Sequence, residues 1–133
     1  MKIHINALDD EEIILEWLKD LFNGDSFDLK TFTNGDDFRN AFSKETDMVI
    51  TDARVPGYDL YDTLKYFRSI SKGVYIIVIT AYCSVDFLLP LFPLAVNEVI
   101  EKDTISQNWL NKIRDSVKSF LPSIINRTQL LEA

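Results

Sequence analysis

The sequence predicts one α/β domain, a doubly wound parallel sheet of five strands, on three observations. Apolar runs of strand length alternate with segments of helical periodicity five times along the chain. One run, Val74-Tyr75-Ile76-Ile77-Val78-Ile79, is apolar and largely β-branched throughout, as a central strand covered on both faces must be. Asp, Thr or Lys follows four of the five apolar runs, at the carboxyl ends where open α/β sheets collect their ligands.

The elements follow in order. Lys2 to Leu8 reads as the first strand and Glu11 to Phe22 as the first helix, stopped by Asn23-Gly24. Phe27 to Phe32 is the second strand. Asn34 can then cap a short helix in which Phe38, Ala41 and Phe42 recur at helical spacing. Met48 to Thr51 is the third strand, and Leu60, Leu64, Phe67 and Ile70 share one face of the third helix, which Lys72-Gly73 ends. After the Val74 to Ile79 strand, Ser84 can cap a helix starting near Val85, which Pro90 should shorten or kink. Val96 to Ile100 is the last strand, and Leu110, Ile113, Val117 and Phe120 mark the last helix. Pro122 is expected to end it, dividing the chain into a domain over residues 1–121 and a tail or linker over residues 122–133 that carries Ile124, Ile125, Leu130 and Leu131.

Composition narrows the function. With 133 residues there is room for one core, and a formal net charge of -7 opposes a direct grip on nucleic acid or an anionic membrane. Cys83 is the single cysteine and His4 the single histidine, so neither a disulfide nor a Cys/His zinc site is expected. The start Met1-Lys2-Ile3-His4-Ile5 has no secretory character, and the longest apolar stretches are too short to span a bilayer, so a cytoplasmic protein is expected. Trp17, Trp109, His4 and Cys83 read as packing residues.

The strand ends place Asp9-Asp10, Asp52, Thr80 and Lys102 together: three carboxylates, one hydroxyl and one ammonium. Clustered carboxylates raise one another's pKa values unless a cation neutralises them, and hard oxygen ligands suit Mg²⁺ or Mn²⁺. A carboxylate so held can attack a phosphoryl group in line and form an aspartyl phosphate. Each residue also has a plainer reading. Asp9 and Asp10 can cap the first helix, Asp52 can lead into the Pro56-Gly57 turn, Thr80 can end a strand, and Lys102 can be a solvated surface lysine. The combination in order along the chain favours the site.

Leu8-Asp9-Asp10-Glu11, Asp52-Ala53-Arg54-Val55-Pro56-Gly57-Tyr58-Asp59, Ile79-Thr80-Ala81-Tyr82 and Glu101-Lys102 resemble the response-regulator receiver family of two-component signalling, over roughly Lys2 to Leu121. The resemblance implies a flavodoxin-like (β/α)5 fold with strand order 2-1-3-4-5. It makes Asp52 the phosphoacceptor, Asp10 a direct metal ligand, Asp9 a ligand acting largely through metal-bound water, and the Arg54 carbonyl a further ligand. Thr80 becomes the switch hydroxyl and Lys102 the partner of Asp52 or its phosphoryl oxygens. Arg54 and Tyr82 border the phosphoryl group and are expected to tune its hydrolysis. A histidine kinase, a histidine phosphotransfer protein or a small phosphodonor would supply the phosphate, and the output would be a protein contact rather than turnover of a substrate.

Three residues depart from the family pattern. Val99 stands where Tyr or Phe is usual, so an aromatic rotamer switch is not expected there. Asp103 replaces the proline that usually follows the lysine in a cis peptide. A cis bond without proline costs about 3 kcal/mol, so a trans junction is expected. Ala95 stands where glycine is common, after an unusually apolar helix from Val85 to Leu94 that is expected to dimerise or bind an effector. Two alternatives follow. One is a degenerate receiver that binds partners without phosphorylation. The other is a phosphohydrolase of the haloacid-dehalogenase type, which needs an aspartate where Arg54 stands.

Overall fold

The computed structural model describes residues 2–103 and 105–132, with side chains through residue 122. Five parallel strands, β1 (Ile3–Leu8), β2 (Phe27–Phe32), β3 (Met48–Asp52), β4 (Tyr75–Thr80) and β5 (Glu98–Glu101), form one sheet in the order β2-β1-β3-β4-β5. The helices are α1 (Glu12–Leu21), α2 (Gly35–Ala41), α3 (Leu60–Ile70), α4 (Val85–Leu88) and α5 (Trp109–Glu132), and a 3₁₀ helix over Leu89–Leu94 continues α4. This is the doubly wound order expected; the ends of the strands and of the first three helices are displaced by a residue or two, and α5 runs well beyond its expected end. The described residues contain no helix long and apolar enough to cross a membrane.

Residue alternation along the strands divides the core between two faces. Ile5, Met48, Ile50, Ile77 and Ile79 pack with Leu15 and Leu18 of α1 and Ile113 and Val117 of α5. Val49, Ile76 and Val78 pack with Phe38 of α2, Leu64 and Phe67 of α3, and Leu91 and Leu94 of the 3₁₀ helix. Both faces of β4 are therefore covered, which is why its sequence shows no polar alternation.

Local capping agrees with the sequence. The Asn34 side chain accepts from the Asp37 amide at 2.9 Å and the Ser84 hydroxyl from the Phe87 amide at 3.2 Å, each satisfying an otherwise unpaired amide of a first turn. Pro90 shortens the fourth helix as expected: α4 has one turn before the chain tightens into the 3₁₀ helix.

The expected stop at Pro122 is corrected, because α5 runs through it to Glu132. Proline removes one amide and crowds the preceding turn, at a cost of about 3 kcal/mol. Pro122 is on the exposed side of the helix, where water can take the carbonyl that loses its partner. The side chains of Ile124, Ile125, Leu130 and Leu131 lie outside the described residues.

Ala95 ends the 3₁₀ helix at φ 52, in the left-handed region where a Cβ crowds the backbone. Ala95→Gly is expected to stabilise the fold by about 1 kcal/mol, read as a higher urea midpoint at unchanged slope. A lower midpoint would show that glycine's extra unfolded-state freedom outweighs the strain.

Candidate functional site

Strand order reverses between β1 and β3, and the crevice outside their carboxyl ends receives the side chains singled out by the sequence. Asp52 is the last residue of β3 and Thr80 the last of β4; Asp9 and Asp10 follow β1, and Lys102 follows β5. Carboxylate oxygens of Asp9, Asp10 and Asp52 all lie within 4.8 Å of one another. Lys102 Nζ donates to Asp9 Oδ2 at 2.8 Å and lies 3.4 Å from Asp52 Oδ1. Asp9 is fully buried and Asp52 nearly so, whereas Asp10 is exposed at the rim.

Burial of this much like charge is unfavourable, and the pKa values record it. Burial first, and then the neighbouring Asp9 charge, push Asp52 up to about 6, against the opposing pull of Lys102. Burial likewise raises Asp9, although hydrogen bonds from Lys102 and the Glu11 amide pull it down. For Lys102 burial acts downward, but the hydrogen bond to Asp9 and the charges of Asp9 and Asp52 outweigh it and hold the ammonium above its ordinary value. One Lys thus faces three carboxylates, and a second cation would relieve the remainder. The donor set is hard oxygen with an open, exposed rim at Asp10, which fits Mg²⁺ or Mn²⁺.

Asp9 does not cap α1, whose N-cap residue is Glu11 without a side-chain cap bond; its Oδ1 instead accepts from the Glu11 amide at 2.9 Å, a local turn leading into the helix. Thr80 is buried, and its hydroxyl is turned into its own loop, donating to the Tyr82 carbonyl at 2.9 Å and accepting from the Tyr82 amide at 3.3 Å. The Arg54 and Tyr82 side chains are exposed beside the crevice. Val99 sits away from it, half-buried, and with Leu88, Leu91, Phe92 and Val96 lines a small apolar pocket on the α4 side of β5.

The Lys102–Asp103 peptide is trans, as expected without proline, and Lys102 reaches the carboxylates nonetheless. Its amide continues the ladder to the Thr80 carbonyl at 2.7 Å. Beyond it the Asp103 carboxylate accepts from the Ile105 amide at 2.8 Å and the Ser106 hydroxyl at 3.0 Å. Sequence reasoning noticed only the missing proline; the Asp-x-x-Ser spacing was the available signal.

With the site assembled on this sheet, the family profile of the response regulator receiver domain matches residues 5–114. The chain belongs to the response regulator receiver family. The receiver is similar to sporulation initiation phosphotransferase F of Bacillus subtilis (strain 168), with 28% identity over 123 residues covering 92% of this chain and 96% of that protein. In fold it is similar to the non-phosphorylated HemR receiver domain of Leptospira biflexa, at a TM-score of 0.77 with 21% identity over 87% of this chain and 94% of that one. A two-component response regulator from Clostridium difficile gives a TM-score of 0.77, with 15% identity over 92% of this receiver and 98% of that chain. The flavodoxin-like strand order and membership in two-component signal transduction stand on these matches and on the sheet order.

Proposed function

We infer that this receiver accepts a phosphoryl group on Asp52 in a Mg²⁺-dependent reaction and passes the change on as a protein contact. The observation that carries this reading is the convergence of Asp9, Asp10, Asp52 and Lys102 at one sheet edge. Asp10, Asp52 and the Arg54 carbonyl would hold the ion, with Asp9 behind them, and the bound ion would neutralise charge on the phosphoryl oxygens. An Asp52 carboxylate oxygen forms the new P–O bond as the donor's P–O or P–N bond breaks, and the donor departs with that electron pair. Lys102, already bonded to Asp9, offers its remaining protons to the phosphoryl oxygens. Thr80 would leave the Tyr82 carbonyl to donate to the same group, which moves the loop leading to α4.

A histidine kinase or histidine phosphotransfer protein is the proposed donor in the cell, supported by the likeness to a protein named a phosphotransferase. The apolar surface from Val85 to Leu94, with Val85, Leu89 and Phe92 exposed, is the proposed contact for an effector or a second copy. The seated Lys102 supports this reading over that of a phosphorylation-independent binding module.

Incubation with Mg²⁺ and a small acyl phosphate should give a labile phosphoryl mass adduct that Asp52→Asn or chelation abolishes. No adduct from small donors or kinases would favour the binding module. Removing the exposed Tyr82 ring should open the site to water without disturbing its backbone bonds to Thr80. Tyr82→Ala is therefore expected to shorten the adduct's half-life several-fold, and an unchanged half-life would remove the shielding role.

A further inference from the structure

The loop after Asp52 is anchored from beneath by residues outside the carboxylate cluster. Val55, Pro56, Gly57 and Tyr58 form a tight turn, with the Tyr58 amide bonded to the Val55 carbonyl at 3.1 Å and Gly57 at φ 73. Proline followed by a positive-φ glycine is the arrangement of a type II turn. The turn delivers the Tyr58 ring to α2, edge-on to Phe38 with centroids 6.2 Å apart. There the ring lies flush on the first residue of α2: a Cβ at Gly35 would stand 2.5 Å from Tyr58 Cδ1 and 3.0 Å from its Cβ. The partly buried ring packs on the Phe38 side and its hydroxyl is tied to Thr51, so a clash of that size moves the ring with its loop, or the helix.

The hydroxyl end is tied as well. Tyr58 OH and Thr51 Oγ1 are 2.8 Å apart, and the Thr51 hydroxyl donates its proton to the Asp52 carbonyl at 2.9 Å. With that proton committed, Tyr58 is the donor to Thr51. Burial raises the phenol well above its ordinary pKa, so it stays a neutral donor. A chain of contacts therefore runs from α2 through Tyr58 and Thr51 to the backbone of Asp52, whose next amide, Ala53, bonds to the Ile79 carbonyl at 2.9 Å.

We propose that Tyr58 is a positioning residue for the Asp52 loop: its ring seated on Gly35 and its hydroxyl on Thr51 fix the backbone from Asp52 to Arg54, and so set the affinity for Mg²⁺. The proposal rests on the metal-binding reading above and adds to it a device in this chain, the pairing of a large ring with a residue that has no side chain.

Gly35 makes the proposal testable because it lies outside the carboxylate cluster and because alanine at a helical position ordinarily stabilises. Four full-length proteins suffice: wild type, Gly35→Ala, Tyr58→Met and the double variant, each titrated with Mg²⁺ by calorimetry. Each is also followed, metal-free, by hydrogen exchange at the Ala53 amide. Gly35→Ala should weaken Mg²⁺ about ten-fold, the lower end for residues that orient ligands from behind, and lower Ala53 protection. In the Tyr58→Met background the 2.5 Å clash with the rigid ring is gone and the closest approach left is the 3.0 Å to Cβ, so the same substitution should cost clearly less in both readouts.

Equal losses in both backgrounds would overturn the proposal, as would a folded Gly35→Ala protein with wild-type affinity and protection. Should Gly35→Ala fail to fold, Tyr58→Phe keeps the ring and loses only the hydroxyl. It should bind Mg²⁺ several-fold more weakly, and unchanged affinity would overturn the proposal. Absence of Mg²⁺ binding by the wild type would remove the metal-binding reading itself. Tight wild-type binding with additive variants would remove this inference alone.

Discussion

Asp52→Asn is expected to make the metal-free protein more stable at neutral pH, although the residue is the proposed centre of its chemistry. A carboxylate with a folded-state pKa of about 6 and an ordinary value of 3.8 binds its proton more tightly when folded. Its stabilising contribution is present below pH 3.8, declines as pH rises through about 6, and is gone above that, where the ionised group is held against Asp9. At about 1.4 kcal/mol per unit the upper bound is about 3 kcal/mol, and between 1 and 3 kcal/mol is expected. Asparagine keeps the shape and removes the charge, so its advantage over the wild type should shrink as pH falls from 7 to 4. Urea midpoints at the two pH values measure this. Mg²⁺ should raise the wild-type midpoint more than that of Asp52→Asn, because the variant lacks one of the three carboxylates whose charge the ion would relieve.

Lys102→Met should act in the opposite direction at pH 7, since it removes the cation that Asp9 and Asp52 share and leaves the buried Asp9 carboxylate without its ion pair. Should Asp52→Asn prove no more stable than the wild type, the carboxylates are not crowded in solution and the case for a divalent ion at this edge weakens.

The sequence made the sheet legible because strand-like runs of apolar and β-branched residues, unbroken in β4 and interrupted by polar residues in β1 and β2, alternate with helix-like segments, and the site residues stand just after them. Asn34 and Ser84 were readable as caps because the signal is local, one side chain bonding an amide three residues on. Asp9, Asp52 and Lys102 were readable as a cluster only through topology: parallel strands put all their carboxyl ends on one side. What stayed hidden depends on contacts far apart in sequence. Nothing near Tyr58 indicates that its ring meets Gly35, and nothing near Thr80 indicates which way its hydroxyl is turned. Pro122 misled because its local penalty does not depend on context, whereas its consequence depends on which side of α5 faces water.

Arg68 is the clearest case of a residue with no sequence signature and a large expected effect. On α3 it reads as an ordinary exposed-face cation near a helix end, where the dipole welcomes positive charge. In the fold it is half-buried and donates to five neutral oxygens. Nε meets the Leu94 carbonyl at 2.9 Å, Nη1 the carbonyls of Lys72 at 3.0 Å and Val74 at 2.6 Å, and Nη2 the Ala95 carbonyl at 2.6 Å and Asn97 Oδ1 at 3.3 Å. Burial pulls its pKa below the ordinary value, but the guanidinium remains charged.

The planar fork thereby ties the loop entering β4 to the loop entering β5, at the end of the sheet away from the carboxylates. Arg68→Met removes every one of these donors while keeping much of the apolar stem, and a loss of about 2 to 4 kcal/mol is expected as a lower urea midpoint. Arg68→Lys should recover little of it, because a single ammonium cannot reach acceptors spread around a plane. Below the melting transition both variants should still form the Asp52 adduct, since the proposed chemistry lies at the opposite edge. A variant of normal stability that lost the adduct would instead mean that this clasp is coupled to the phosphoacceptor through the 3₁₀ helix and α4. That segment is pinned by Arg68 at its end and capped by Ser84 at its start, four residues beyond Thr80, so it physically joins the clasp to the loop that carries the Thr80 hydroxyl.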